Sequence, residues 1–263
     1  MKLYWVDAFT RRVFGGNPAG VVPLETWLDD ATLQKIAFEN GLSETAFFVR
    51  TGEARFHLRW FTPAIEIDLC GHATLATAHV LFTELGESGR VITFDSRSGP
   101  LTVARRADGK LELDFPSLPP QPAPADPALA AALGLAPRQL LLSKRSWLCV
   151  YPNAQDVRAL KPDHVALARL TPGRFIVTAP GDAGDCDFVS RFFAPDAGIV
   201  EDPVTGSAHC VLMPYWSERL GRSTLHARQI SARGGELWCE QAGDRTRIAG
   251  ESVLYLRGEI SLE

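Results

Sequence analysis

Two runs without charged side chains constrain this chain of 263 residues more than any other feature. Residues 71–83 contain no Asp, Glu, Lys or Arg, and the run that begins at Gly206 stays uncharged through Ser217. Each run is long enough for three helical turns, and a helix that is apolar nearly all round is covered on every side. Neither run reaches the roughly 20 residues that a membrane span needs. We therefore predict two buried helices, Gly71–Thr83 and Gly206–Leu220, each wrapped in β-sheet.

Both helices belong to a repeated pattern. An aromatic strand of the form Arg-x-Phe-x-Pro leads into a turn-rich loop with carboxylates, then a glycine, then the helix. Pro63 and Pro195 lie 132 residues apart, and Gly71 and Gly206 lie 135 apart. A repeat of more than 100 residues indicates two copies of a domain rather than a solenoid.

The boundary between the copies is predicted from proline content. The segment 116–127, PSLPPQPAPADP, holds six of the 18 prolines, and such a segment forms neither a helix nor a central strand. We predict an N-terminal lobe of residues 1–117, joined by residues 254–263, and a C-terminal lobe of residues 118–253.

Composition narrows the function classes. The net charge of −4 gives no polybasic surface, so we expect no nucleic-acid partner. The first residues, MKLYWVDAFT, lack the apolar core and cleavage site of a signal peptide. The five cysteines are scattered, without a Cys-x-x-Cys pair, which favours neither a disulfide framework nor a zinc site. We expect a cytoplasmic protein with no membrane association.

The repeated glycine loops predict an anion site. Helix N-termini present free N–H groups and the positive end of a dipole, so they bind carboxylates. Gly71 and Gly206 would each place one such end, and two in one chain suggest a single anionic site between the lobes.

The two copies differ at the positions where chemistry would take place. Glu44, His72, Asp202 and Ser207 form an asymmetric set of two carboxylates, an imidazole and a hydroxyl, which suits proton movement at carbon. Each also has an ordinary interpretation. Glu44 suits a surface or capping position, His72 a backbone contact, Asp202 the start of a turn, and Ser207 a helix N-cap.

Other polar residues receive plainer interpretations. His79 and His209 are expected to be satisfied core histidines, and Glu66 and Asp68 to be loop charges. Cys70 could be a nucleophile or base, or simply a buried small residue. Phosphate-loop, nucleophile-elbow and His-Glu-x-x-His motifs are absent from the sequence, as is any metal-ligand cluster, so we predict a site without cofactor or metal.

Four motifs in order resemble the phenazine-biosynthesis F-type (PhzF-like) isomerase family. They are VDAFTRRVFGGNPAGVV, GLSETAFFV, RWFTPAIEIDLCGHATLATAH and RFFAPDAGIVEDPVTGSAH. The resemblance implies the α+β fold of diaminopimelate epimerase. In that fold two pseudo-repeat lobes each roll a barrel-like β-sheet round a central helix, with the active site in the cleft between them.

The resemblance also implies roles for individual residues. Glu44 corresponds to the glutamate that takes a proton from one carbon and returns it to another. His72, Asp202 and Ser207 correspond to residues that place the substrate and assist proton transfer. The backbone at Gly71 and Gly206 would receive a carboxylate, and Asn17 would lie near the site.

The family's best-known member isomerises trans-2,3-dihydro-3-hydroxyanthranilate. By resemblance we expect a cofactor-independent isomerase that acts on a small carboxylated substrate, and a homodimer.

Two alternatives stay open. An amino-acid epimerase would use Glu44 and either Cys70 or Asp202 as opposed bases. Diaminopimelate epimerase uses two cysteines; Cys70 stands at or next to the first position, but the loop EDPVTGSA offers no second. A metabolite-binding protein without turnover would keep the same loops and tolerate a change of carboxylate to amide.

Overall fold

The structure is a computed structural model that describes residues 1–182 and 184–262. It divides into two compact units. The first unit comprises Met1–Asp114 and Ala249–Glu263, and the second comprises Phe115–Ile248. Across the described residues, every helix is too short or too polar to cross a membrane.

The elements alternate short strands with few helices. The strands are β1 (Lys2–Ala8), β2 (Asn17–Leu24), β3 (Glu44–Gly52), β4 (Arg55–Phe61), β5 (Glu66–Ile67), β6 (Val91–Ser96), β7 (Gly99–Arg105), β8 (Leu111–Pro116), β9 (Gln121–Pro122), β10 (Gln139–Leu142), β11 (Trp147–Val150), β12 (Phe175–Pro180), β13 (Phe188–Ala194), β14 (Ile199–Asp202), β15 (Thr224–Gln229), β16 (Gly235–Ala242), β17 (Arg245–Gly250) and β18 (Ser252–Glu259). The helices are α1 (Asp30–Asn40), α2 (Gly71–Thr83), α3 (Pro127–Leu133), α4 (Ala154–Ala159), α5 (His164–Leu167) and α6 (Gly206–Leu220), with a 3₁₀ turn at Pro195–Ala197.

The sheet of the first unit mixes parallel and antiparallel pairs. Strand β1 lies antiparallel between β18 and β2. From there β2 runs parallel to β3, β3 antiparallel to β4, β4 parallel to β6, and β6 antiparallel to β7. The short β5 pairs with the end of β4.

The sheet of the second unit follows the same plan. Strand β11 runs parallel to β12, β12 antiparallel to β13, β13 parallel to β15, and β15 antiparallel to β16. The short β14 pairs with β13, as β5 pairs with β4. The same alternation of parallel and antiparallel neighbours in both units confirms the internal repeat.

Helix α2 is the central element of the first unit. It has the predicted bounds, and each of its residues except Gly71, His79 and Thr83 is buried. It packs against β1, β2, β3, β7 and β18. Strands on several sides explain why no charged residue is tolerated, because an ionised side chain here would lose its hydration without a partner. The predicted helix wrapped in sheet is confirmed.

Helix α6 is its counterpart in the second unit and also has the predicted bounds. Pro214 lies inside it without ending it. Proline has no N–H, so the usual helical bond to the carbonyl of Cys210 cannot form. The backbone N–H of Leu118 donates to that carbonyl instead, at 2.8 Å. The helical hydrogen bond lost at Pro214 is therefore replaced by one from a neighbouring segment, which keeps the buried carbonyl satisfied.

Equivalent ion pairs fix the loop that precedes each central helix. Arg59 of β4 binds Glu66 through two bonds of 2.7 Å, and Arg191 of β13 binds Glu201 at 2.7 and 2.9 Å. These are bidentate, partly buried pairs, the geometry in which an arginine–carboxylate contact orients both partners. The expectation that Glu66 is a loop charge is wrong, since it lies in β5 and tethers the loop. Asp68, by contrast, is exposed.

Candidate active site

Glu44 is the first residue of β3. Helix α1 begins after the N-cap Asp29 and ends at Gly41, whose φ of 60° suits glycine and stops the helix. The chain then enters β3, where Glu44 pairs with Ala19 of the parallel strand β2. Glu44 is only 7% exposed, so the surface interpretation is wrong. A carboxylate buried to this degree requires polar partners.

His72, the second residue of α2, provides one of those partners. Its Nε2 lies 3.0 Å from Oε2 of Glu44. Its Nδ1 lies 3.1 Å from Nδ2 of Asn17, the first residue of β2, which is fully buried. With the amide N–H of Asn17 donating, Nδ1 accepts, and the proton of a neutral imidazole then lies on Nε2. Asn17, Glu44 and His72, named separately from the sequence, thus lie in contact as one buried polar set in the first unit.

The charge state of His72 is coupled to its neighbours. Burial lowers the pKa of His72, but the adjacent Cys70 sulfur and Glu44 carboxylate outweigh burial and raise this pKa well above its ordinary value. The imidazolium form would carry a proton on Nδ1 as well, and Asn17 would then have to present its amide oxygen. The side-chain amide of Asn17 would therefore rotate whenever the ring of His72 gains or loses this proton.

Cys70 lies beside the same imidazole. Its Sγ is 3.5 Å from Nδ1 of His72, and the residue is 6% exposed. Burial and the Glu44 carboxylate raise the pKa of the thiol to about 11, against a smaller opposing effect of His72. A thiol that stays protonated at neutral pH is a poor nucleophile and a poor base. The structure therefore favours the interpretation of Cys70 as a protonated, buried residue over a catalytic one.

Glu44, Cys70 and His72 also form a set of possible metal ligands. One ligand atom from each lies within 4.8 Å of the other two. No metal-ligand pattern stands out in the sequence at these positions. Spacing could not reveal the set, because Cys70 and His72 are separated by a single residue and Glu44 belongs to a different strand.

The second unit holds Asp202, Gly206 and Ser207. Asp202 ends β14 and accepts a hydrogen bond of 2.5 Å from Oγ1 of Thr205. Gly206 is the first residue of α6 and Ser207 the second, with an exposed side chain. The N-cap interpretation of Ser207 is wrong, because Thr205 occupies that position. Ser207 is consequently a hydroxyl presented at the N-terminus of a buried helix.

Gln229, the last residue of β15, holds this loop and was missed from the sequence. It is 1% exposed, and its Oε1 accepts from the backbone N–H of Thr205 at 2.9 Å. Its Nε2 donates to the carbonyl of Asp202 at 2.8 Å and to Oγ1 of Thr205 at 3.1 Å. Only the non-local pairing of β15 with β13 brings Gln229 to the loop, so no local signal could have identified it.

The remaining histidines of the central helices behave differently from each other. His209 is fully buried, and its Nδ1 lies 2.9 Å from the carbonyl of Thr205, which confirms it as a core residue. Its Nε2 has no hydrogen-bond partner among the described residues, so only one of its two ring nitrogens is satisfied. His79 is half-buried rather than part of the core, and burial lowers its pKa. Thr74 occupies the position of His209 in α2, and its hydroxyl likewise donates to the carbonyl four residues earlier, at Cys70.

Comparison with known proteins identifies the family. The model of the family described as phenazine biosynthesis-like protein matches residues 6–258. The chain belongs to the phenazine biosynthesis-like family. The predicted resemblance is confirmed along nearly the whole chain.

Relatives within the phenazine biosynthesis-like family cover the chain from end to end. An uncharacterized isomerase of Pseudomonas aeruginosa is 53% identical over 262 residues, which span 100% of this chain and 99% of that protein. The human phenazine biosynthesis-like domain-containing protein is 41% identical, with 99% of each chain covered. The crystal structure of a PhzF family protein from Enterococcus faecalis superimposes with a TM-score of 0.95 at 48% identity, covering 99% of each chain.

More distant structures share the fold alone. A predicted epimerase from Pseudomonas aeruginosa matches with a TM-score of 0.78 at 22% identity, covering 100% of this chain and 99% of its own. A probable proline racemase from Agrobacterium radiobacter matches at 0.63 and 14% identity, covering 100% and 93%. These likenesses confirm the predicted α+β, diaminopimelate epimerase-like fold class.

Proposed function

We propose that this chain is a cofactor-independent isomerase that moves a proton within a small carboxylated metabolite, with Glu44 as the acid and base. The observation that carries the proposal is the buried contact of 3.0 Å between Oε2 of Glu44 and Nε2 of His72. A buried carboxylate in close contact with an imidazole is suited to proton transfer at carbon. The relatives named as isomerases support the same class of reaction.

The proposed reaction balances with one protein group. A C–H bond of the substrate breaks, and its proton forms an O–H bond on the Glu44 carboxyl. The electron pair left behind shifts through the unsaturated substrate and moves a double bond. The O–H of Glu44 then gives the same proton to a second carbon, which restores the carboxylate. No oxidant, reductant or second base is consumed.

The other site residues have supporting roles in this proposal. His72 holds the Glu44 carboxylate in position, and Asn17 holds the ring of His72. Backbone N–H groups at the N-terminus of α2, at Gly71, or of α6, at Gly206, would bind a carboxylate of the substrate. Asp202 and Ser207 would place the substrate and assist proton transfer. These assignments follow the family resemblance and the positions described above.

The experiment uses trans-2,3-dihydro-3-hydroxyanthranilate in D₂O, followed by NMR. We expect rearrangement by the native protein and loss of at least about 1,000-fold in turnover for Glu44→Gln, with binding retained. The matched control is Asp68→Asn, the same change of carboxylate to amide at an exposed position, which should leave turnover unchanged. Turnover of Glu44→Gln at the native rate would contradict the role of Glu44.

Two further expectations are tested separately. Sedimentation velocity measures whether the chain forms the expected homodimer. Fractionation of the source cells measures whether it resides in the cytoplasm.

A further inference from the structure

The N-cap residue of each central helix contacts a site residue instead of capping the helix. Threonine at an N-cap ordinarily accepts a hydrogen bond from an N–H of the first turn, yet the side chain of Thr205 makes no such bond to α6. Its hydroxyl lies 2.5 Å from Oδ2 of Asp202. In the first unit Cys70 occupies the N-cap of α2, makes no capping bond, and has its sulfur 3.5 Å from Nδ1 of His72.

The orientation of the Gln229 amide beside Thr205 follows from two backbone groups. The N–H of Thr205 can only donate, so the amide atom 2.9 Å from it is the oxygen. The carbonyl of Asp202 can only accept, so the amide atom 2.8 Å from it is the nitrogen. The same nitrogen lies 3.1 Å from Oγ1 of Thr205, to which it also donates. Neither step depends on the position of the hydroxyl proton.

The direction of the Thr205 hydroxyl follows in turn. Oγ1 accepts from Gln229, so its single proton is directed at the other neighbour, Oδ2 of Asp202. A separation of 2.5 Å between the two oxygens is typical of a hydroxyl that donates to an ionised carboxylate. Asp202 is therefore held as a carboxylate whose Oδ2 accepts.

The remaining polar groups of Thr205 are also engaged. The residue is 6% exposed, and its carbonyl accepts from Nδ1 of His209 at 2.9 Å. Backbone N–H, carbonyl and hydroxyl thus each have a partner, and the branched side chain of threonine is stiff about χ1. A buried network in which every member is satisfied holds one arrangement. Thr205 and Gln229 consequently link the carboxylate of Asp202 to the sheet strand β15.

We propose that Thr205 is a positioning residue that orients the carboxylate of Asp202 for the reaction. The effect on turnover rests on the proposed function, in which Asp202 assists proton transfer. The orientation itself rests on the hydrogen bonds described above. Without the hydroxyl, the side chain of Asp202 would lose the bond that selects its rotamer. A displacement of about 1 Å at a reacting group can lower the rate by about 100-fold.

Thr205→Val tests the proposal, because valine has nearly the shape of threonine without the hydroxyl. With trans-2,3-dihydro-3-hydroxyanthranilate as substrate, kcat should fall roughly 10- to 100-fold, with a smaller change in KM. Thr205→Ser keeps the hydroxyl and should retain most of the native kcat. In an Asp202→Ala background, adding Thr205→Val should lower kcat by less than about twofold, because the two residues act as a unit.

The matched control is Thr178→Val, at a fully buried position of β12. The hydroxyl of Thr178 also both accepts and donates, from Nε1 of Trp216 at 3.0 Å and to the carbonyl of Val189 at 2.7 Å. Its loss should lower stability in urea unfolding and leave kcat unchanged. Native kcat in Thr205→Val, an equal loss in Thr205→Ser, or an equal loss in Thr178→Val would overturn the proposal.

Crystal structures of the native protein, Thr205→Val and Thr205→Ser separate this role from the proposed reaction. Oδ2 of Asp202 should lie within about 3 Å of the hydroxyl in the native and serine proteins, and the carboxylate should adopt another rotamer in the valine protein. If that movement occurs but the native protein lacks turnover, the reaction is removed and the orientation by Thr205 is supported. A carboxylate that keeps its native position in Thr205→Val overturns the positioning role, whether or not substrate is turned over.

Discussion

The buried imidazole of His209 should make the stability of the protein fall in mild acid. Its Nδ1 donates to the carbonyl of Thr205, and its ring packs near Phe188. Among the described residues, no acceptor lies within hydrogen-bond distance of Nε2, where a second proton would have to go. Burial therefore lowers the pKa of His209 to about 4, against the contribution of the Thr205 carbonyl, which raises it.

The sign follows from comparing folded and unfolded chains. The unfolded histidine has a pKa near 6.5, so it binds a proton at pH values where the folded one does not, and stability rises with pH in this range. The contribution is complete above about pH 6.5 and is lost as pH falls from there toward 4. With these two pKa values the loss is about 2 kcal/mol between pH 7.5 and pH 5.0, and about 3 kcal/mol by pH 4.

Urea unfolding at both pH values measures this, with His209→Asn as the reference. Asparagine keeps an N–H donor near the position of Nδ1 but cannot titrate, so the variant should be less stable at pH 7.5 because of the cavity it leaves. Its loss of stability between pH 7.5 and pH 5.0 should be smaller than that of the native protein by about 2 kcal/mol. Equal losses in the two proteins would refute the reasoning, whatever other groups titrate.

Three further substitutions test how the fold positions the site. Gly16→Ala places a Cβ 2.1 Å from the carbonyl oxygen of Ala8 at a φ of +60°, so it should displace Asn17 and cost about 2–5 kcal/mol in urea unfolding, together with most of the turnover. Gln229→Leu removes the hydrogen bonds that hold the loop around Asp202. Steady-state kinetics should show a raised KM, while the thermal unfolding of the first unit should stay unchanged. Leu75→Ala, at a fully buried position of α2, should cost about 2–5 kcal/mol, measured by thermal or urea unfolding.

The central helices could be predicted to the residue, for an identifiable reason. Gly71–Thr83 and Gly206–Leu220 combine a starting glycine with a long run lacking charge, and only an element covered on all sides tolerates that composition. The spacing between the two copies of the repeat was equally informative, because both units have the same order of parallel and antiparallel strand pairs. Pattern reasoning succeeds where one local physical requirement dominates.

Local reasoning failed where long-range contacts decide the role of a polar residue. Glu66 has the sequence context of a loop charge, yet it lies in the short strand β5 and forms a bidentate ion pair with Arg59 of β4. Ser207 is a favourable N-cap residue, but Thr205 is the N-cap and Ser207 lies inside the first turn of the helix.

The residues of the candidate site were likewise predicted only in part. Asn17, Glu44 and His72 could be named from the sequence through their motifs, and the fold brings them into contact. The contribution of Cys70 to a metal-ligand set depends on distances between β3 and the first turn of α2, which no spacing encodes. Gln229 likewise depends on the non-local pairing of β15.

The central claim is that one carboxylate, Glu44, both removes and returns the proton. The most direct test is a single-turnover reaction in H₂O with trans-2,3-dihydro-3-hydroxyanthranilate that carries deuterium at the carbon that loses its proton. The account predicts that part of the deuterium appears at the receiving carbon of the product, because the same O–D group delivers it before exchange with solvent is complete. Two results together would contradict it. The rearranged product would carry only solvent hydrogen at that carbon, and Glu44→Gln would turn over as fast as the native protein under the same conditions.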